Sequence, residues 1–460
     1  MFKTSTTALL LCLAGAASAH DALAHRRAHE HKRQLLSVGV SASVGVSAAP
    51  TISASVSAPT AAPATTQNAA TVAVPSSLLT LSASGVPALS AITFGMPSGA
   101  TVAPTTTYTP GVTPPISGAP ALPTPFVFEQ DAWPKLDKVA PTDSDEVQEW
   151  LKELDGVDIP DMAPTVDGSC AGDPSAAANA SARGWWTCGG WTRPSDITAC
   201  PDKMTWGVSF DDGPAPYSEK LLTFLGEKDI HATFFAVGSR VVSYPDLLIE
   251  EYMSGHEISV HTWSHPPLTS LTNEQIVAEL GWSRKAIKTV LGVTPTTMRA
   301  PYGDIDDRVR AISNAMGLRP IIWTTAPDHI PFDTNDWRVA GGDVTGLQQF
   351  TTFEAILGNA SVMDTGFIVL QHDLYEITVD LAIGYTLNSA LTHNPPFSLK
   401  AIGECMNMAP GDMYAETTSN KTQTRVSTST NQTSGAPSLG SPSAAFLSAV
   451  ALGITGLFVA

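Results

Sequence analysis

Between residues 204 and 403, short apolar runs alternate with longer stretches in which apolar positions recur every three or four residues. Met204 to Phe210, Thr233 to Val237, Glu257 to Val260, Ile321 to Thr324 and Phe367 to Leu370 are short and often β-branched or aromatic, which predicts strands. Ser218 to Lys228, Asn273 to Leu291 and Asp306 to Met316 carry the helical period. Thr272 or Asn273 can cap the second of these, and Glu274 and Glu279 suit its first half. Alternating β and α units predict an α/β fold with parallel strands, as a sheet or a barrel. In such folds polar residues just past the strand ends line the active site.

Outside this region the pattern fails. From Leu35 to about Pro125 the chain is Ser, Thr, Ala, Val and Pro with almost no charge, which reads as a disordered, O-glycosylated stalk. Ahead of it lies a short basic, His-rich patch in which Lys32-Arg33 could be a dibasic processing site. Met1 to Ala19 has the three parts of a secretory signal: Lys3, an apolar run from Thr7 to Ala14, and the small residues Ala17-Ser18-Ala19. At the other end Ala444 to Ala460 is an apolar tail with no basic residue after it, preceded by a Ser/Pro spacer and by Ser434-Gly435-Ala436. That is the layout of a GPI-anchor signal, with Ser434 the expected attachment point. A transmembrane helix is the alternative, although 17 residues is at the lower limit for spanning. The expected organisation is a signal (1–19), the stalk (20–125), an N-terminal extension of the core (126–203), a catalytic domain (204–403), a Ser/Thr-rich tether (404–434) and a removed anchor signal (435–460).

Composition sharpens this. The 460 residues are 43% apolar but only 15% charged, where about 25% is usual; glycans on the stalk would supply the missing solubility. Twenty-five basic against 43 acidic residues give a net charge of −18, the wrong sign for a nucleic-acid partner. Sequons begin at Asn179, Asn359, Asn420 and Asn431, as suits a secreted surface. Cys12 leaves with the signal, and Cys170, Cys188, Cys200 and Cys405 remain. Four cysteines in an oxidising compartment suggest two disulfides with three possible pairings. Cys188–Cys200 and Cys170–Cys405 are the favoured expectation, the latter tying the two ends of the domain together.

Chemistry gathers at the strand ends. The first strand runs into Asp211-Asp212-Gly213-Pro214, which alone is equally good turn chemistry. Glu257 to Val260 runs into His261-Thr262-Trp263-Ser264-His265-Pro266-Pro267, where the prolines prevent a helix and leave two histidines on a strand end and loop. With Asp212 they form a His₂–Asp set, three ligands that leave positions open, as a catalytic metal site needs.

Phe210-Asp211-Asp212 and His261-Thr262-Trp263-Ser264-His265 resemble the first two motifs of the polysaccharide deacetylases of carbohydrate esterase family 4. Arg299-Ala300-Pro301-Tyr302, Asp333-Thr334-Asn335-Asp336-Trp337 and Leu370-Gln371-His372 resemble the third, fourth and fifth, in order. Ser209 stands where threonine is common in the family, a departure that touches no ligand. Together with the signal, stalk and anchor layout, the group most resembled is the fungal cell-wall chitin deacetylases.

The resemblance implies a distorted (β/α) barrel and a role for each residue. Asp211 would be the general base, and Asp212, His261 and His265 would hold zinc or cobalt. His372 would be the general acid, and the backbone N–H of Tyr302 would face the oxyanion, so that Asp211 and Tyr302 flank the acetyl group. Arg299 would orient Asp211. Asp333 or Asp336 would orient His372 and favour its protonated form, and Trp337 and Leu370 would wall the pocket. The expected activity is hydrolysis of N-acetyl groups of β-1,4-linked N-acetylglucosamine, giving chitosan and acetate. The alternatives are another acetylated polysaccharide (xylan, peptidoglycan) or a wall mannoprotein that binds polysaccharide without turnover. A monomer held to the outer face of the plasma membrane and the wall by its lipid is expected.

Overall fold

The structure, a computed structural model, describes residues 85–104, 106–326 and 330–418. Among these the strands are β1 (Thr205–Gly207), β2 (Ser209–Asp211), β3 (Thr233–Ala236), β4 (Glu257–Val260), β5 (Thr297–Met298), β6 (Arg319–Pro320), β7 (Phe367–Ile368) and β8 (Ser398–Lys400). They pair in parallel throughout, in the orders β7-β1-β8 and β2-β3-β4-β5-β6. Only Val208 separates β1 from β2, so one chain segment feeds both ladders. Further links come from isolated parallel bridges, Asp211 with His372 and Asp333 with Leu370, and from Thr324 N–H donating to the Ile368 carbonyl at 3.0 Å. The expected parallel α/β class holds, while among the described residues the ring of the expected barrel is not closed by continuous pairing.

Every residue of β1 to β4 is buried. Parallel strands covered on both faces read as continuous apolar runs, which is why these were legible. The long apolar run 204–210 breaks into two strands at Val208, and the Ile321–Thr324 run lies just beyond β6. Two-residue β5 and the partly exposed β8 gave no run to read. Helices fared better. Asn273–Leu291 begins with a reciprocal Thr272/Gln275 capping box and stops at Gly292 in the left-handed conformation (φ 83°). Asp306 caps Asp307–Ala315 by accepting from Val309 N–H.

Three expectations need correction. The stalk was expected to reach residue 125, yet Val86, Leu89, Ile92, Ile116 and Leu122 are buried in the main core. Ile92 accepts from Gly346 N–H at 2.9 Å, and Pro87 accepts from the Tyr385 hydroxyl at 2.8 Å. A strap of scattered apolar residues cannot form its own core, but it can dock on one already built. At the other end, where a tether was expected from 404, a helix spans Ile402–Cys405, and Met413 and Tyr414 are buried. The Tyr414 hydroxyl accepts from Ile258 N–H of β4 at 3.0 Å. The signal peptide, residues 20–84, Asn420, Asn431, Ser434 and the anchor signal lie outside the described residues.

The disulfide pairing also differs. Cys170 joins Cys188 and Cys200 joins Cys405. The chain between Cys170 and Cys188 folds back through two short helices, Pro174–Ala178 and Ala180–Arg183, which brings its ends together. Cys200 instead enters beside β1, where Gly207 leaves room: a Cβ there would lie 3.0 Å from Cys200 Sγ and 3.2 Å from Cys405 Sγ. The long-range tie exists, but Cys200 makes it. Sequence separations of 205 and 18 residues give the Cys200–Cys405 bridge an advantage of about 2 kcal/mol in the chain-entropy treatment. Thermal melts of Cys200→Ser/Cys405→Ser and Cys170→Ser/Cys188→Ser should therefore show the larger loss for the first pair. Equal losses would mean that loop length does not decide the matter.

Candidate active site

The site is built where β2, β4 and β5 end. Asp211 closes β2, its N–H donating to the Gln371 carbonyl at 3.0 Å. At Asp212 the chain turns into the left-handed region (φ 81°). Thr262 (64°), His265 (62°), Tyr302 (61°) and Asn335 (59°) do the same in the second, third and fourth motifs. Side chains other than glycine resist this conformation, at a cost of order 1–3 kcal/mol each, and it persists only where the surroundings over-determine it. Each of these four motifs therefore carries one or two strained residues that aim a neighbouring polar group.

Asp212 Oδ1 lies 3.3 Å from His261 Nε2 and 3.1 Å from His265 Nε2, all three side chains being buried. One ligand atom from each residue falls within 4.8 Å of the others, the only such His/Cys/Asp/Glu group among the described residues. His261 Nδ1 is 2.8 Å from the Arg299 carbonyl oxygen. A carbonyl can only accept, so Nδ1 carries a proton, and in the neutral, metal-binding form of the ring the Nε2 lone pair faces the carboxylate. Acceptor facing acceptor in a buried site calls for a cation. The N₂O donor set fits zinc or a neighbouring transition metal, and the Nδ1–H···O=C bond is the usual outer support of a metal-binding histidine.

Asp211 is held differently. Its Oδ1 accepts from Arg299 Nη1 at 2.6 Å, and the same Nη1 reaches Ser209 Oγ at 3.1 Å. Arg299 is fully buried and lies over the Phe235 ring, 4.0 Å from its centroid. The two adjacent aspartates are thus sorted by partner: Asp212 to the histidines, Asp211 to the guanidinium. Asp211 Oδ2 still lies 3.9 Å from His261 Nε2, so this carboxylate sits beside the His₂–Asp group.

His372 follows β7 and is bridged to Asp211. Asp336 grips it twice: Oδ1 is 2.7 Å from Nδ1, and Oδ2 accepts from the His372 N–H at 2.8 Å. Burial alone would pull the imidazole's pKa down; Asp336, by charge and hydrogen bond, and the charges of Asp212 and Asp211 overcome this and raise it to about 10. Asp336 is therefore the partner of the two candidates. Asp333 shapes the turn, accepting from Asn335 N–H at 2.7 Å and from the Trp337 indole at 3.3 Å. Trp337 and Leu370 are both buried, with Leu370 bridged to Asp333. Tyr302 sits on the tight turn Pro301–Gly303, its ring edge-on to His265 with centroids 4.6 Å apart.

Around the site, buried Glu279, Asp304 and Asp373 escaped the sequence reading. Glu279, taken only as helix composition, accepts from Trp263 N–H, Ser264 N–H and the Ser264 hydroxyl. Asp304, two residues past Tyr302, accepts from the Trp185 indole, the Thr187 hydroxyl and Thr269. Asp373, next to His372, accepts from the Ser218 hydroxyl at 2.5 Å, and burial, with the Asp212 charge adding to it, raises its pKa to about 7. Nothing in local sequence distinguishes such residues from surface acids; only a fold that brings donors to them does.

A parallel α/β scaffold bearing a His₂–Asp group, with an arginine-held carboxylate on one side and an aspartate-held histidine on the other, defines a metal-dependent hydrolase. A family model described as polysaccharide deacetylase matches residues 198–321. Chitin deacetylase 1 of Cryptococcus neoformans var. grubii is 50% identical over 372 residues, 78% of this chain and 78% of that one. The chain belongs to the polysaccharide deacetylase family. Chitin deacetylase of Amylomyces rouxii is 35% identical over 274 residues, 56% of this chain and 63% of its own. Among solved structures, the chitin deacetylase from Colletotrichum lindemuthianum matches with a TM-score of 0.41 and 25% identity, covering 48% of this chain and 95% of that one.

Proposed function

We infer that this enzyme hydrolyses the N-acetyl groups of chitin, releasing acetate and leaving chitosan. The observation that carries the reading is the pairing of Asp211 with Arg299 and of His372 with Asp336 on either side of Asp212, His261 and His265. The substrate follows from the half-identical relative, whose name is chitin deacetylase.

Asp212, His261 and His265 would hold a divalent ion, zinc or cobalt. When bound, that ion supplies the Lewis acidity that lets water attack an amide near neutral pH. Asp211, fixed by Arg299, accepts the proton of the attacking water as the new C–O bond forms. The Tyr302 N–H donates to the oxygen of the acetyl carbonyl as it gains negative charge. His372, charged and held at Nδ1 by Asp336, gives the proton on Nε2 to the amide nitrogen, so the C–N bond breaks and the amine leaves. Trp337 and Leu370 flank the methyl group.

The test is acetate release from chitin oligomers. Chelation should abolish it, and zinc or cobalt should restore it. Full activity in demonstrably metal-free protein would overturn the mechanism. Release from acetylated xylan or peptidoglycan, but not from chitin oligomers, would overturn the substrate.

The chain ends support a place for this activity. The signal layout at 1–19 and the anchor layout around Ser434 fit a secreted monomer tethered by a GPI lipid at the plasma membrane, acting on the cell wall. Of the sequons within the described residues, Asn179 is exposed and Asn359 half-buried, so Asn179 is the better acceptor for a glycan.

A further inference from the structure

The loop that carries the two histidines is held both from within the catalytic domain and from outside it. Its Thr262 and Trp263 carbonyls accept from Gly238 and Ser239 N–H, and its Trp263 and Ser264 N–H groups donate to Glu279. Glu279 has one more donor, Ala140 N–H at 2.9 Å, which belongs to the N-terminal extension. The extension also reaches the loop directly. Trp133 stacks on Trp263 with ring centroids 6.0 Å apart and planes 5° from parallel, and the Lys135 carbonyl accepts from the Trp263 indole at 3.2 Å. Asp137 accepts from the Ser239 hydroxyl at 2.9 Å. Trp263 lies midway between His261 and His265, and Thr262 just before it and His265 two residues after it are both in the left-handed region.

The helix Asn273–Leu291 is shaped to receive this extension. Gly281 lies under Trp150 of the extension's helix Asp145–Leu151; a Cβ at 281 would fall 2.1 Å from the indole. Gly238, on the other side of Trp263, likewise leaves no room for a Cβ, which would fall 2.7 Å from that ring. Trp282 closes the group, edge-on to Trp133 and Trp150, with Lys285 above it. The ring between the two ligands is therefore fixed on all sides, and one side is supplied by residues some 130 positions earlier in the chain.

We propose that the N-terminal extension, through Trp133, Lys135 and Ala140, is a positioning element that sets the metal affinity of the His261–His265 loop. This rests on the reading of Asp212, His261 and His265 as the metal ligands. A β-branched residue in the left-handed region does not stay there unaided. Without the stack on Trp133 and the bond to Lys135, Trp263 is free to leave its slot, the strain at Thr262 relaxes, and the two imidazoles lose their common focus. Outer supports of a metal site typically govern affinity by about 10–100-fold.

The experiment uses the full-length protein stripped of metal and titrated with zinc against a chromophoric chelator. Trp133→Ala and Glu279→Gln should raise the zinc Kd by about 10–100-fold, and Trp133→Phe, which keeps a stacked ring, should recover most of it. The cobalt-loaded variants should show altered d–d absorption, reporting a changed ligand field. A variant whose metal-free melting temperature falls while its zinc Kd and cobalt spectrum match wild type has lost only stability, and that result overturns the proposal. Should Trp133→Ala fail to fold, Trp263→Phe decides by the same Kd, since it keeps the stack and deletes the bond to Lys135. His261→Ala separates the two readings. If it binds zinc as tightly as wild type, the ligand assignment itself is wrong; if it loses zinc while the extension variants keep it, only the positioning role is rejected.

Discussion

Asp212→Asn is expected to lose metal and activity together, while Asp211→Asn keeps its metal and loses about 10²–10⁴-fold in turnover, the usual worth of a general base. The two carboxylates are neighbours in sequence, equally buried, and both near His261, so the difference rests on their partners. Asp212 Oδ1 is the oxygen shared between the two imidazoles, at 3.3 and 3.1 Å. Replacing that carboxylate with an amide removes the only negative charge in the His₂–Asp set. Asp211 spends one oxygen on Arg299 and turns the other toward the triad without joining it. An amide at 211 leaves the donor set intact but cannot take a proton from water. It also leaves the buried Arg299 guanidinium without its counter-charge, so a lowered melting temperature should accompany the lost turnover. Metal content measured beside the rate for both variants checks the assignment. An Asp211→Asn protein that comes out metal-free while Asp212→Asn stays loaded would mean the two roles are exchanged.

How much of this was legible in the sequence depended on how local each cause was. The three helices read from the sequence came within a residue, two of them with their caps written beside them: Thr272 with Gln275, and Asp306 ahead of Val309. The strands β2, β3 and β4 were legible as buried apolar runs, whereas β5 and β6 are two residues long and set by their neighbours' hydrogen bonds. The candidate metal and catalytic residues stood out because their types, order and strand-end position are themselves the signal. The choice between Asp333 and Asp336 was not local, since it depends on how the turn through Asn335 (φ 59°) presents each carboxylate to a histidine 36 residues away. The disulfides failed for the same reason: Cys188 and Cys200 are near in sequence, but the base of β1 claims Cys200 for Cys405. Composition misplaced the stalk boundary because an average over 90 residues hides a handful of well-spaced apolar side chains that dock on a surface built elsewhere.

The alkaline side of the pH–rate curve should belong to His372, and Asp336→Asn should move it. As the proposed acid, His372 must carry its proton, so the rate is expected to fall as pH rises through its pKa. Against the downward pull of burial, the charge and hydrogen bond of Asp336 lead the causes that raise it from 6.5 to about 10. In the metal-loaded enzyme the ion's charge offsets the contributions of Asp212 and Asp211, which leaves Asp336 as the deciding partner. The wild-type limb should then lie above 6.5 and no higher than about 10. Asp336→Asn removes the charge, and an amide oxygen that still accepts from Nδ1–H leaves the neutral ring with no proton on Nε2 to give. Turnover near neutral pH should fall by about 10²–10⁴-fold, and the alkaline limb of what remains should shift toward lower pH. Because Asp336 Oδ2 also holds the His372 backbone N–H, His372→Ala provides the comparison: it should lose a similar factor but have no alkaline limb of this origin at all. Both variants should retain zinc, since neither residue belongs to the triad. An Asp336→Asn enzyme whose alkaline limb coincides with that of wild type would show that His372 is not the acid.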